Sequence, residues 1–88
     1  MNDNIKEDTF STSDISLAAY LKCLDYKISN IKKLGSKITF IFKDSPKRKQ
    51  DVIKFFNDEG ICKVNAYSKS LKDLKGLIFN TDNSGDDN

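Results

Sequence analysis

Few side chains in this chain of 88 residues are suited to acid-base or covalent chemistry. Histidine is absent, so proton transfer near neutral pH would depend on carboxylates with perturbed pKa values. The candidate carboxylates lie beside predicted helix ends, turns or lysines, where carboxylates are ordinarily solvated: Asp25, Asp44, Asp51, Asp58, Glu59 and Asp73. The sequence therefore predicts a protein that is not an enzyme and has no catalytic residues.

The two cysteines, Cys23 and Cys62, are too few for a zinc or iron-sulfur centre. They are either a disulfide or reactive thiol, or two small apolar side chains in or near the core of a reduced protein, and we favour the second interpretation. The acidic pair Asp58-Glu59 could bind a divalent ion, but such a pair at a helix end ordinarily faces solvent. The four glycines are isolated and form no phosphate-binding loop. We expect no metal and no cofactor.

Positive charge is the stronger functional signal, because residues 15–79 carry a net charge of +8 between two acidic ends. The run Lys47-Arg48-Lys49 falls in the first turn of a predicted helix, where the helix dipole disfavours cations. One interpretation is a patch for nucleic-acid phosphates, joined by nearby lysines of a hairpin turn: Lys32, Lys33 and Lys37. The alternative is a solvated face of a lysine-rich chain, with Lys47 paired to Asp51.

A second hypothesis is a module that binds another protein. Three apolar residues lie off the main hydrophobic stripes and are its predicted anchors: Ile41, Phe55 and Phe79. The sequence leaves the partner and the oligomeric state open. No apolar run is long enough to span a membrane, so we expect a cytoplasmic protein with no membrane partner.

The elements that would position these residues can be predicted from hydrophobic spacing. A first helix is expected from Asp14 to about Leu24, with Thr12 or Ser13 as its N-cap and Asp14 in its first turn. Its apolar face repeats at helical spacing: Leu17, Tyr20, Leu21 and Leu24. Phe10 either packs on the entry of this helix or forms a short edge strand.

Two strands follow, at about residues 27–32 and 37–43, and Leu34-Gly35-Ser36 supplies the turn of an antiparallel hairpin. In the second strand Ile38, Phe40 and Phe42 share one face, which must pack on helices.

The last two helices are marked by caps and stripes. Ser45 is the predicted N-cap and Pro46 the first residue of a helix to about Asn57, with Val52, Ile53 and Phe56 inward and an end at residues 58–60. Asn65 is the predicted cap of the third helix, whose stripe is Tyr67, Leu71, Leu74 and Ile78. These elements predict a small α+β domain over residues 10–79, with disordered acidic segments at residues 1–9 and 80–88.

One segment carries a family resemblance. The run from Phe10 to Leu21, followed by residues 38–42, 55–57 and 71–75, resembles a domain-of-unknown-function family of short bacterial and bacteriophage proteins. Members of that family open with the pattern Phe-x-Thr-x-Asp-Leu-x-Leu-Ala-Ala-Tyr-Leu, and Ile15 here replaces the first Leu. The resemblance implies a bacterial or phage origin and brings no activity, catalytic residue or ligand.

Overall fold

A three-stranded antiparallel sheet and three helices make up the computed structural model, which describes residues 8–86 and their side chains through residue 80. The elements in chain order are β1 (Thr9–Thr12), α1 (Ile15–Cys23), β2 (Ile28–Leu34), β3 (Lys37–Lys43), α2 (Arg48–Phe56) and α3 (Val64–Asp86). The predicted α+β class and helix-hairpin-helix-helix order are confirmed. No helix within residues 8–86 is long and apolar enough to cross a membrane.

The sheet has the strand order β1-β3-β2, so the hairpin strand β3 is central. Phe10 lies in β1 and pairs with Phe42 of β3. Of the two predicted alternatives for Phe10, the short edge strand is therefore confirmed. Gly35 and Ser36 connect Leu34 to its partner Lys37. Gly35 has a φ of 62°, the left-handed conformation that the first position of a tight hairpin turn favours for glycine.

The core lies between the inner face of the sheet and the helices. Phe40 and Phe42 of β3 are almost completely buried, and Leu74 of α3 is completely buried. They meet a continuous buried run in α1, formed by Leu17, Ala18, Ala19, Tyr20 and Leu21. The two alanines have no exposed surface, so their small side chains allow neighbouring elements to approach α1 closely.

The N-cap of α1 is Asp14 and not Thr12 or Ser13. Its carboxylate accepts hydrogen bonds from the backbone N–H groups of Ser16, at 2.9 Å, and Leu17, at 3.2 Å. The Thr12 hydroxyl accepts from the N–H of Asp14, while the Ser13 hydroxyl contacts that of Thr39. Asp14 is the N-cap because it directly precedes the first helical residue and its backbone is extended.

The start of α2 also differs from the prediction. The Ser45 hydroxyl accepts from the N–H of Lys47, and the Ser45 carbonyl accepts from the N–H of Arg48. Ser45 therefore caps a tight turn at Pro46-Lys47, and the α-helix begins at Arg48 rather than Pro46.

The inward face of α2 was predicted correctly for Val52, which packs against the core, but wrongly for the other two residues. Phe56 is 62% exposed and Ile53 is 49% exposed, although both were expected inside. The half-buried positions instead follow the helical spacing 48, 51, 52 and 55. Two of these four are charged, and because each has a partner in the structure, the true inward face does not look hydrophobic in the sequence.

The predicted stripe of α3 is confirmed, with Leu74 buried and Tyr67, Leu71 and Ile78 packed beside it. The helix begins at Val64, one residue before the predicted cap Asn65. It continues to Asp86, so residues 80–86 are helical where a disordered tail was expected; no proline interrupts this stretch. Residues 1–7 and 87–88 of the predicted tails lie outside the described chain.

Helices α1 and α2 end in the same way. The residue after each C-cap, Asp25 or Asp58, has a positive φ of 73° or 59°. The N–H of Tyr26 bonds to the Leu21 carbonyl, as that of Glu59 does to the Lys54 carbonyl. These six-to-one bonds define Schellman motifs, in which an aspartate occupies the position usually held by glycine.

Candidate nucleic-acid interface

The outer face of the sheet is a largely polar surface. The strand register places these residues on it: Thr9 and Ser11 of β1, Asn30, Lys32 and Leu34 of β2, and Lys37, Thr39, Ile41 and Lys43 of β3. The helices of residues 8–86 pack on the opposite face, through Phe40 and Phe42. The outer face is therefore a broad surface not covered by these helices.

The electrostatics of this face are one-sided. The three strands contain four lysines and no aspartate or glutamate. Lys32 lies opposite Thr39, and Lys37 is two positions from Thr39 on the same strand. Lys32 and Lys37 are thus diagonal neighbours, with side chains about 7–8 Å apart where they leave the backbone. Both are exposed.

The three cations predicted at the start of α2, Lys47, Arg48 and Lys49, have different surroundings in the structure. Arg48 donates from Nε and from a terminal nitrogen to the two carboxylate oxygens of Asp44, at 3.0 and 3.2 Å. Its guanidinium also lies 4.3 Å from the centre of the Phe10 ring. These hydrogen bonds lower the pKa of Asp44 and raise that of Arg48. Arg48 fastens α2 to β1, whereas Lys47 and Lys49 are exposed.

The two predicted basic groups do not meet. The hairpin turn lies at the Lys37 end of β3, while α2 follows the Lys43 end. A seven-residue strand separates these ends by about 20 Å. Lys32 and Lys37 belong to the outer face, whereas Lys33 pairs with Ile38 on the helix-facing side of the sheet. The expected single patch is therefore wrong in its geometry.

The three predicted protein-contact residues have different surroundings. Ile41 is half-buried on the outer face of the sheet. Phe55 is not an exposed anchor, because its ring packs 5.3 Å from that of Tyr20. Phe79 is 64% exposed, as predicted.

An apolar groove that the sequence did not reveal lies between α2 and α3. It has a volume of about 400 Å³ and these lining residues: Tyr20, Phe55, Asp58, Gly60, Cys62, Val64 and Tyr67. Val64 is 81% exposed at the groove, and the exposed Phe56 packs edge-on against Phe55. The adjacent pair Phe55-Phe56 was the available signal, since adjacent helix positions point about 100° apart and a short surface helix buries only one face.

A polar cleft of about 320 Å³ lies beside the start of α2. The Tyr26 hydroxyl donates a 2.6 Å hydrogen bond to the Asp51 carboxylate there. Burial and this hydrogen bond raise the pKa of Tyr26. The cleft is lined by lysines and aspartates together, so its charge favours no one ligand. Within residues 8–86, no group of three or more Cys, Asp or Glu side chains is arranged to hold a metal ion.

The two cysteines are free and half-buried. Burial, followed by the contact with Cys62, raises the pKa of Cys23.

The chain matches a known protein family. The model of the family described as "Domain of unknown function (DUF5659)" matches residues 7–80. The chain belongs to the DUF5659 family. The DUF5659 match includes the complete sheet, α1, α2 and most of α3, and it confirms the predicted membership in a domain-of-unknown-function family. No curated protein and no solved structure matches the chain significantly.

Proposed function

We propose that this DUF5659 protein is a small non-enzymatic module that binds nucleic acid through the outer face of its sheet. The observation that supports the proposal is an open sheet face with exposed Lys32 and Lys37 and no carboxylate in any of its strands. Such a surface attracts phosphates because lysine ammonium groups release the counterions condensed on a nucleic acid.

The composition of the face also indicates the kind of binding. Hydroxyl and amide side chains, including Thr39 and Asn30, can donate to phosphate and sugar oxygens between the lysines. None of the outer-face residues is aromatic, so the face offers no ring on which a base could stack. We therefore expect weak binding that depends on salt and discriminates little between sequences.

The test is a fluorescence-anisotropy titration of short single- and double-stranded DNA and RNA at about 50 and about 200 mM salt. The variant K32Q/K37Q should bind at least about tenfold more weakly at the lower salt, and its salt slope should fall by about 2. The matched control, K47Q/K49Q, removes the same charge from the start of α2 and should keep the affinity within about threefold.

Two results would contradict the proposal. One is an absence of binding by the unmodified protein at the lower salt. The other is an equal loss of affinity in both double variants, which would show that total charge, not the sheet face, determines binding. Circular dichroism of each variant verifies that the fold is intact.

The second candidate function is a protein-interaction module, such as a phage or mobile-element accessory protein that modulates a host or phage protein. It is supported by the apolar groove, because exposed side chains such as Val64 and Phe56 beside a groove are typical of interaction surfaces. If the protein binds no nucleic acid in the titration, protein interaction becomes the better-supported function.

A further inference from the structure

The apolar groove between α2 and α3 has an aromatic lining. Both helices pack on α1 and make few contacts with each other, which leaves a space between them. Tyr20 of α1 lies at the floor of this space, where Gly60 approaches its ring closely. Phe55 of α2 and Tyr67 of α3 line the two sides. The groove, with a volume of about 400 Å³, lies within the size range of ligand-binding sites.

Exposed apolar side chains surround this groove. Val64 lines it and is 81% exposed. Ile61 lies between two lining residues and is 84% exposed. Phe56, which packs edge-on against Phe55, is exposed as well. A partner that covered this cluster would remove three large apolar side chains from water, and such clusters mark interaction sites.

The segment between the two helices has main-chain groups available to a partner. Gly60, Ile61 and Cys62 belong to neither a helix nor a strand. Their N–H and carbonyl groups make no backbone–backbone hydrogen bond with any residue of the described chain. An extended peptide beside such a segment can exchange main-chain hydrogen bonds with it and place alternate side chains in the neighbouring groove.

The charge of the lining specifies the peptide further. The lining residues include one carboxylate, that of Asp58, and neither lysine nor arginine. Lys63 is exposed and is not among them. An apolar groove with a carboxylate in its lining is complementary to an apolar side chain that has a basic residue beside it, and it disfavours an acidic peptide.

We propose that the groove binds an extended peptide segment of a partner protein, which pairs its main chain with residues 60–62, places a bulky apolar side chain between Phe55 and Tyr67, and directs a basic side chain toward Asp58. This inference rests on the second candidate function, protein interaction, and adds the chemistry of the partner. It is separate from the nucleic-acid proposal, because the lining residues of the groove lie outside the sheet.

The test titrates the isotope-labelled full chain with capped peptides and follows its amide resonances by NMR. The basic probe is Gly-Arg-Ser-Leu-Ser-Arg-Gly, in which the Arg and Leu side chains share one face when the peptide is extended. The acidic probe has Glu in place of both Arg residues. A third probe carries N-methyl groups on the three central residues, which removes their main-chain donors.

The basic probe should shift the amide resonances of residues 60–64 and of Tyr67. The acidic probe should bind at least about threefold more weakly, because its charges no longer match Asp58. The N-methylated probe should bind at least about fivefold more weakly, because main-chain hydrogen bonds are lost.

Two pairs of variants locate the site. Val64→Lys places a cation at the groove and should weaken the basic probe at least about fivefold, whereas Leu34→Lys adds the same charge at a similarly exposed position of the sheet and should leave the affinity unchanged. Asp58→Asn retains a residue that tolerates the left-handed backbone and should reduce the preference for the basic over the acidic probe. Glu59→Gln, which removes the neighbouring charge outside the lining, should retain that preference.

Three outcomes would overturn the inference. One is the absence of these shifts with the basic probe at about 5 mM. Another is equal affinity of the basic probe for Val64→Lys and for the unmodified protein, which would place the peptide outside the groove while leaving protein interaction standing as a function. The third is a shift of the same amides with rising protein concentration and no peptide, which would identify a second copy of the chain as the occupant.

Discussion

Gly60 is a residue whose identity is set by a single contact. A Cβ atom at this position would lie 2.7 Å from the Cζ and Oη atoms of Tyr20. The Tyr20 ring therefore lies where the segment after α2 crosses it. Tyr20 is only 5% exposed and therefore has little room to retreat.

Replacement of Gly60 by alanine should lower the free energy of unfolding by about 1–3 kcal/mol, because the added methyl group overpacks the contact with Tyr20. Gly76 is the matched control, since it lies inside α3 with no atom within 4 Å of the position of its Cβ. Gly76→Ala should raise stability by about 0.5–1 kcal/mol through helix propensity. Urea unfolding of both variants provides the measurement, and a stabilised G60A would show that the segment moves freely.

At the scale of elements, the helix ends are determined by residues that simple sequence rules misplace. The expected stop of α2 included Gly60, yet the left-handed residue is Asp58. Aspartate tolerates this conformation because its short polar side chain can bond locally, and glycine adopts it without steric penalty.

Asp58→Gly should therefore stabilise the protein by about 0.5–1 kcal/mol, whereas Asp58→Ala should destabilise it by a similar amount or more. The two variants remove the same carboxylate, so the difference between their unfolding midpoints isolates the backbone conformation. If the alanine variant matched the glycine variant, the left-handed geometry at residue 58 would not be the stability determinant.

Much of the fold could be predicted from periodic elements. The stripe of α3 and the alternation of β3 are dominated by apolar residues, so their spacing alone identifies the buried face. The face of α2 could not be predicted this way, because Arg48 and Asp51 point inward only with Asp44 and Tyr26 as partners. Asp44 is a local partner, four positions before Arg48, but Tyr26 is brought to Asp51 only by the tertiary structure.

The candidate interface was predictable in its composition but not in its position. Lys32 and Lys37 could be named from the sequence, and the lack of carboxylates between residues 28 and 43 was visible there. Their separation from Lys47 and Lys49 follows from the direction of β3, which places the turn and α2 at opposite ends. Arg48 contacts both Asp44 and the Phe10 ring. The contact with Phe10 depends on the pairing of β1 with the sheet.

For the molecule as a whole, several weak acids become harder to ionise on folding. Burial is the leading cause of the raised pKa values of Tyr20, Tyr26 and Cys23. A group whose pKa is higher in the folded state than in the unfolded state contributes stability that is present below its unfolded pKa. That contribution is lost as the pH rises through the folded pKa. Stability should therefore decline on the alkaline side of neutrality.

The variant Tyr26→Phe isolates one of these groups. It should be less stable than the unmodified protein at pH 7 by about 1–2 kcal/mol, because the hydrogen bond to Asp51 is lost. Between pH 7 and about pH 11, above the ordinary tyrosine pKa near 10, it should lose less stability than the unmodified protein. Urea unfolding at both pH values measures the two differences. Parallel losses would show that Tyr26 does not ionise differently on folding.

The lysines of the sheet have a further consequence for how copies of the protein coexist. Strand β2 is an edge strand of the described sheet, and an edge strand is where a strand of another copy could add to the sheet. Adjacent Lys32 and Lys33, together with the register shift between Ile28 and Asn30, oppose such edge-to-edge pairing through charge repulsion and irregular geometry. The charge proposed to attract phosphate thus also protects a half-open sheet against aggregation at high concentration.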